Sequence, residues 1–170
     1  MFLKKINNFI VSDNLLLFII FLISFLLNKY YANFGVFPID TFLHFDSGFR
    51  VLNGEYPIKD YWVVSGIFVD YLEAFFFYLL GASWNTHIFH SSFINGVMVI
   101  ATYFVLRSFQ FKKIYSFSYS FLFGILAYPP SGTPFVDHHA AFLSLLGIYC
   151  FILALNNQKN FYWVLMPIFF

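Results

Sequence analysis

The sequence predicts an all-α fold, a polytopic transmembrane helical bundle with an interfacial helix in its first external loop. Three observations carry that expectation. The chain has 170 residues, of which 61% are hydrophobic and 10% charged, whereas a soluble domain averages about 45–50% apolar and about 25% charged residues. It holds 28 Phe and 12 Tyr, a composition suited to the aromatic belts of membrane–water interfaces. Its apolar runs recur along the length, and the charges collect between them. Net charge is +1, so no basic field points to nucleic acid. Membrane lipids are the expected surroundings. The single cysteine, Cys150, lies in an apolar run. It excludes an internal disulfide and reads as a packed residue.

Residues 9–27 follow Lys4 and Lys5 and lack a small-residue cleavage site, so they read as a retained anchor rather than a removed signal peptide. Residues 88–109 are long enough to span. Residues 114–128 and 140–155 are shorter and would span with help from flanking aromatics. A further apolar run, 161–170, is incomplete. The expectation is one membrane domain over residues 1–170, the amino-terminal part of a larger one.

Residues 66–80 decide the sidedness. If they lie in the interface, Lys4, Lys5, Arg107, Lys112, Lys113 and Lys159 share one side, and Lys29, Arg50 and Lys59 face the other. The positive-inside rule prefers that arrangement, with the amino terminus cytoplasmic in a multi-pass inner or plasma membrane protein. Asp70 and Glu73 are three residues apart and share one helix face, and an apolar helix with one acidic face can lie in the interface plane. All acidic residues except Asp13, and all histidines, then sit on the external side. Loop 28–65 meets loop 129–139 there, and Asp46 and Asp137 become potential neighbours.

Five of the eight acids gather in residues 46–81, Asp46, Glu55, Asp60, Asp70 and Glu73, together with Arg50 and Lys59. Charge beside a bilayer is expensive and marks a functional-site hypothesis. Asp46, in HFDSGF, reads either as a general base for an acceptor hydroxyl or as a helix N-cap. Pro57 excludes helical geometry at Tyr56. Asp60-Tyr61-Trp62 then reads as an aromatic anchor in a structural turn, with Asp60 available to a polar ligand. Asp137, in YPPSGTPFVDHHAAF, opens the last long helix, either at its dipole or as a second acid facing Asp46. The two acids could share a divalent cation, Mg or Mn. No cofactor is specified beyond that. His138 and His139 are adjacent and would point about 100° apart on a helix, unlike the i, i+4 pair of a zinc face. Hydrogen bonding to a phosphate or sugar suits them better. His44, His87 and His90 read as solvated interface histidines. Glycine-rich phosphate loops and serine nucleophile elbows are absent from the sequence, so an activated substrate would arrive through the membrane.

Residues 40–113 carry an Asp soon after the first span, then G-E-Y-P-x-x-D-Y-W, a short aromatic helix ending in Leu80-Gly81, and a full span ending in basic residues. This order resembles the start of the GT-C membrane glycosyltransferases, the group containing protein O-mannosyltransferases and lipid A aminoarabinose transferases. Ser47 stands where many members have Glu. The resemblance implies transfer of a sugar from a polyprenyl-phosphate donor to a hydroxyl of a lipid, glycan or protein acceptor at the external face. It implies Asp46 as the acid that activates the acceptor, with Asp60 and Asp137 as the following loop acids. Arg50, His138 and His139 are the remaining expected substrate contacts. The alternative is a non-enzymatic membrane protein, a transporter portion or an accessory subunit.

Overall fold

The computed structural model describes residues 13–34, 38–63 and 66–169, and all regular structure among them is helical. Lys4, Lys5 and the start of the first apolar run lie outside the described residues. Helix α1 is Asp13–Tyr31, α2 Pro38–Leu52, α3 Phe68–Leu80, α4 Trp84–Ser108, α5 Lys113–Leu126, α6 Val136–Asn157 and α7 Asn160–Leu165, followed by a 3-10 turn Met166–Phe169. The all-α bundle expected from the composition is therefore present. Asn14–Tyr31, Trp84–Ser108 and Val136–Asn157 are long and apolar enough to cross a membrane, and the chain is a membrane protein on that ground. Helix α5 has 14 residues, about 21 Å at 1.5 Å per residue. That is short of the roughly 30 Å hydrocarbon core. Residues 160–169 form the short α7 and the 3-10 turn, both packed back on α6.

Helix α4 is the central post. Its apolar stretch is 61% buried, against 17% for α1 and 33% for α6. Small residues let the neighbours approach it, as in membrane bundles generally. A Cβ on Gly124 of α5 would stand 2.5 Å from Val99 of α4 and 2.6 Å from the Ser24 hydroxyl of α1. Asn95 Nδ2 donates to the Gly124 carbonyl at 2.9 Å and the Ser24 carbonyl at 3.3 Å, tying three helices together. Met98, Tyr128 and Phe142 make a small core where α4, α6 and the end of α5 meet.

One end of the bundle carries the polar structure. Asn28, near the end of α1, donates to Ser91 and Ser92 of α4 and to the Gly132 carbonyl. Thr41 of α2 meets Thr133 at 3.0 Å. Loops 28–65 and 129–139 therefore do meet, as the sidedness argument requires. Loop 28–65 is not structureless. It holds α2, a helix the sequence reading omits, and α2 packs along α3.

Candidate functional site: an exposed acid cluster over a buried acid–histidine network

The outer part of the site lies on α2 and the turn after it. Asp46 is not an N-cap, because it sits in the middle of α2, where a carboxylate pairs along the helix surface instead. Arg50 Nε donates to Asp46 at 2.7 Å one turn away, and Arg50 Nη1 donates to Glu55 at 3.1 Å. The Asp46 side chain is 63% exposed. Hydrogen bonds to Asp46 and then Glu55 raise the Arg50 pKa further, so this cation is permanently charged. The Arg50 guanidinium also lies 5.7 Å from the Tyr61 ring centroid.

Asp60 accepts from the Tyr56 backbone N–H at 2.8 Å and closes the turn in which Ile58 takes a left-handed φ of 73°. Trp62 is largely exposed, as an interface anchor requires. Asp137 is exposed in the first turn of α6. Among the described residues no group of three or more His, Cys, Asp or Glu is arranged to hold a metal ion. Asp46 is moreover committed to Arg50. No step below is routed through a divalent cation.

The inner part lies directly beneath and corrects several expectations. Asp70 and Glu73 do not form a solvated acidic face on an interfacial helix. They are 2% and 0% exposed, because the face they share is the one α3 presents to α2 and α4. Helices α2 and α3 come close at Glu73 because position 48 has no side chain. A Cβ on Gly48 would lie 2.4 Å from Glu73 Cγ. His44, His87 and His90 are not solvated either; each is no more than 1% exposed. They are buried because burying either acid unpartnered would cost several kcal/mol or more, and histidines supply the partners.

The hydrogen bonds form a chain. His87 Nδ1 lies 2.7 Å from Glu73 Oε1, and His90 Nδ1 bonds Glu73 Oε2. His90 Nε2 meets His139 Nε2 at 3.0 Å. His139 Nδ1 lies 2.9 Å from the Tyr128 hydroxyl and 3.0 Å from the Phe135 carbonyl. The Phe135 backbone N–H donates to the Tyr128 oxygen at 2.9 Å. The Phe76 ring stacks on His90 at 4.7 Å and closes the site. A second, shorter chain joins His44 to Asp70 at a long 3.4 Å and brings the Tyr61 hydroxyl to Asp70 at 3.0 Å.

Burial drives the electrostatics. It pushes the Glu73 carboxyl above the ordinary glutamate range, against the hydrogen bond and charge of His90. It raises Tyr128 well above an ordinary phenol, against the Phe135 N–H that would favour the phenolate. Tyr61 is raised by burial and then by the Asp70 charge.

His139, expected to touch a phosphate or sugar, is instead 2% exposed and fully engaged in the chain. His138 is half-buried among the rings of Tyr128, Phe135 and Phe142. The outer residues Asp46, Arg50, Glu55 and Tyr61 are brought together; no hydrogen bond or ion pair joins Asp137 to Asp46. The inner network had a legible signal. Asp70 and Glu73 share i, i+3 spacing on one helix, and His87 and His90 repeat it on the next, so two acids and two bases can face each other across one helix pair.

The chain matches no protein-family model, no curated protein and no solved structure.

Proposed function

We propose that this chain is the membrane part of a glycosyltransferase that takes a sugar from a polyprenyl-phosphate donor and places it on an acceptor hydroxyl at the external membrane face. The observation that carries the reading is the Asp46–Arg50 pair. In an otherwise apolar chain it is a carboxylate and a cation in direct contact, accessible, outside the helices long enough to cross a membrane, and adjacent to the polar end of the bundle. The residue order around it is the one that resembles the GT-C enzymes.

Asp46 takes the proton of the acceptor hydroxyl. The freed oxygen forms the new bond to the anomeric carbon as the bond from that carbon to the phosphate oxygen breaks. The leaving lipid phosphate gains a negative charge, which Arg50 meets with its planar donors. Arg107, Lys112, Lys113 and Lys159 mark the opposite, cytoplasmic end under the positive-inside rule.

The test is transfer from a radiolabelled polyprenyl-phosphate sugar in reconstituted vesicles, comparing the natural sequence with Asp46→Asn and Arg50→Ala. Loss of a general base costs about 10²–10⁴-fold in rate, so Asp46→Asn is expected to abolish detectable transfer while leaving the helical content unchanged. Full activity in Asp46→Asn would overturn the assignment. A second reading, a non-enzymatic proton-handling membrane protein, is favoured by one observation, the Glu73 network buried against a spanning helix. Vesicles that move protons but transfer no sugar would select it.

A further inference from the structure

We infer that Tyr128, His139, His90 and Glu73 form a proton relay, which carries a proton from the loop between α5 and α6 to a carboxyl buried among α2, α3 and α4. The relay does not depend on glycosyl transfer, because none of its members is an exposed residue of the Asp46–Arg50 pair. Three links join the four side chains, with hydrogen-bonding atoms in contact at each step. Every intermediate group can both give and take a proton, which a relay needs and a purely structural pairing does not.

Two hydrogen-bond arrangements of the ring nitrogens and the carboxyl fit the same heavy atoms. In the first, Glu73 is a carboxylate and His90 donates to it from Nδ1. His90 Nε2 then accepts from His139 Nε2–H, and His139 Nδ1 accepts from the Tyr128 hydroxyl. In the second, Glu73 is a carboxylic acid and donates to His90 Nδ1. His90 donates from Nε2 to His139 Nε2, and His139 donates from Nδ1 to the Phe135 carbonyl.

The second arrangement holds one more proton than the first. It is reached when Tyr128 passes its hydroxyl proton to His139, His139 passes one to His90, and His90 passes one to Glu73. The incoming proton restores the Tyr128 hydroxyl. The cluster goes from one net negative charge to neutral.

The His139 ring has a partner in both states. His139 Nδ1 has a donor, Tyr128, and an acceptor, the Phe135 carbonyl, at nearly equal distances of 2.9 and 3.0 Å. Either tautomer of the ring is therefore satisfied. The Phe135 N–H holds the Tyr128 oxygen from the far side and leaves the phenolic proton for His139. His87 donates to Glu73 Oε1 and steadies the carboxyl without blocking Oε2. The other titratable groups beside the relay include His44 on α2, Asp70 on α3, His138 on α6 and Tyr61. His44, Asp70 and Tyr61 are bonded to one another rather than to the relay.

The test uses the full chain in lipid nanodiscs. Infrared difference spectra between high and low pH are expected to show a protonated carboxyl band that Glu73→Gln removes and Asp70→Asn retains. In Tyr128→Phe the same band should rise at least tenfold more slowly after a pH jump. Nitrogen NMR of the natural sequence supplies a check that needs no variant. His90 and His139 should both exchange tautomer over the pH range in which the band appears. A band that survives Glu73→Gln, an unchanged rate in Tyr128→Phe, or unaltered tautomers at either histidine would each overturn the relay.

Discussion

Two acid pairs, one on α2 and the turn after it and one on α3, meet opposite fates. Asp46 and Glu55 flank Arg50 at the surface, with side chains 63% and 41% exposed. Asp70 and Glu73, two dozen residues further on, are 2% and 0% exposed. The partners differ with the burial. The outer acids pair with a permanent cation, whose charge water screens, so the pair adds little to stability. The inner acids pair with histidines, which can become neutral with them. A buried carboxyl beside two imidazoles can shed its charge by moving a proton, whereas one beside an arginine would stay ionic and carry the full desolvation cost. Charge in an apolar chain is thus divided by reversibility: fixed pairs outside, proton-exchanging pairs inside.

The contrast is sharpest at Glu73. Glu73→Ala leaves His87 and His90 buried without their acceptor, and breaking a buried pair of this kind costs about 3–5 kcal/mol. The expected outcome is loss of most of the folded population in detergent, read as a drop in Tm of the helical circular-dichroism signal. A Tm within a degree or two of the unaltered chain would show that the network contributes nothing to stability.

Gly48→Ala tests the close approach that creates the burial. Its Cβ would meet Glu73 Cγ at 2.4 Å, and overpacking of this order costs about 1–3 kcal/mol. Thermal unfolding should show a smaller loss than Glu73→Ala, and pairing Gly48→Ala with Glu73→Ala should be less than additive, because the clash partner is gone.

The pH dependence separates the two regions further. Burial raises Glu73 above its unfolded value, so the folded state binds more protons in the window above the ordinary glutamate range. The stability this provides is full below the unfolded pKa, near 4.3, and is lost as pH rises through the folded one. Measured against Glu73→Gln, the unfolding midpoint of the natural sequence should therefore fall as pH rises above that range. A slope unchanged in Glu73→Gln would place the titrating group elsewhere.

The smallest stability effect belongs to the outer pair. Asp46→Ala should change stability by no more than about 0.5 kcal/mol, as for other exposed positions, while eliminating sugar transfer under the proposed function. A large loss of stability instead would make Asp46 a structural residue and break the contrast between the two regions.

Much of the fold was legible in apolar run length. The three long helices follow from runs with few charges, and their positions agree within a few residues because a membrane-spanning run declares itself by length and composition. Helix α2 was not legible. Its segment, PIDTFLHFDSGFRVL, mixes Thr, His, Asp, Ser and Gly with apolar residues, and only Pro38 at its first position and the Asp46–Arg50 spacing point to a helix. At the site, the exposed positions of Asp46 and Arg50 agree with a reading from charge placement. The burial of His44, His87, His90 and His139 does not, since histidine suits water and protein interior about equally well.

The sequence by itself determined that the chain is helical, that it belongs in a membrane, and that one end of the bundle holds nearly all its acids and histidines. Those properties depend on composition and on order along the chain. Tertiary structure alone decided which acids are inside. Burial of Asp70 and Glu73 requires α3 to turn one face toward α2 and α4, and that depends on Gly48 opposite Glu73 and on His87 and His90 one helix away. An acid three residues from another looks the same whether its partner is water or imidazole. Only the packing of a second and third helix distinguishes the two.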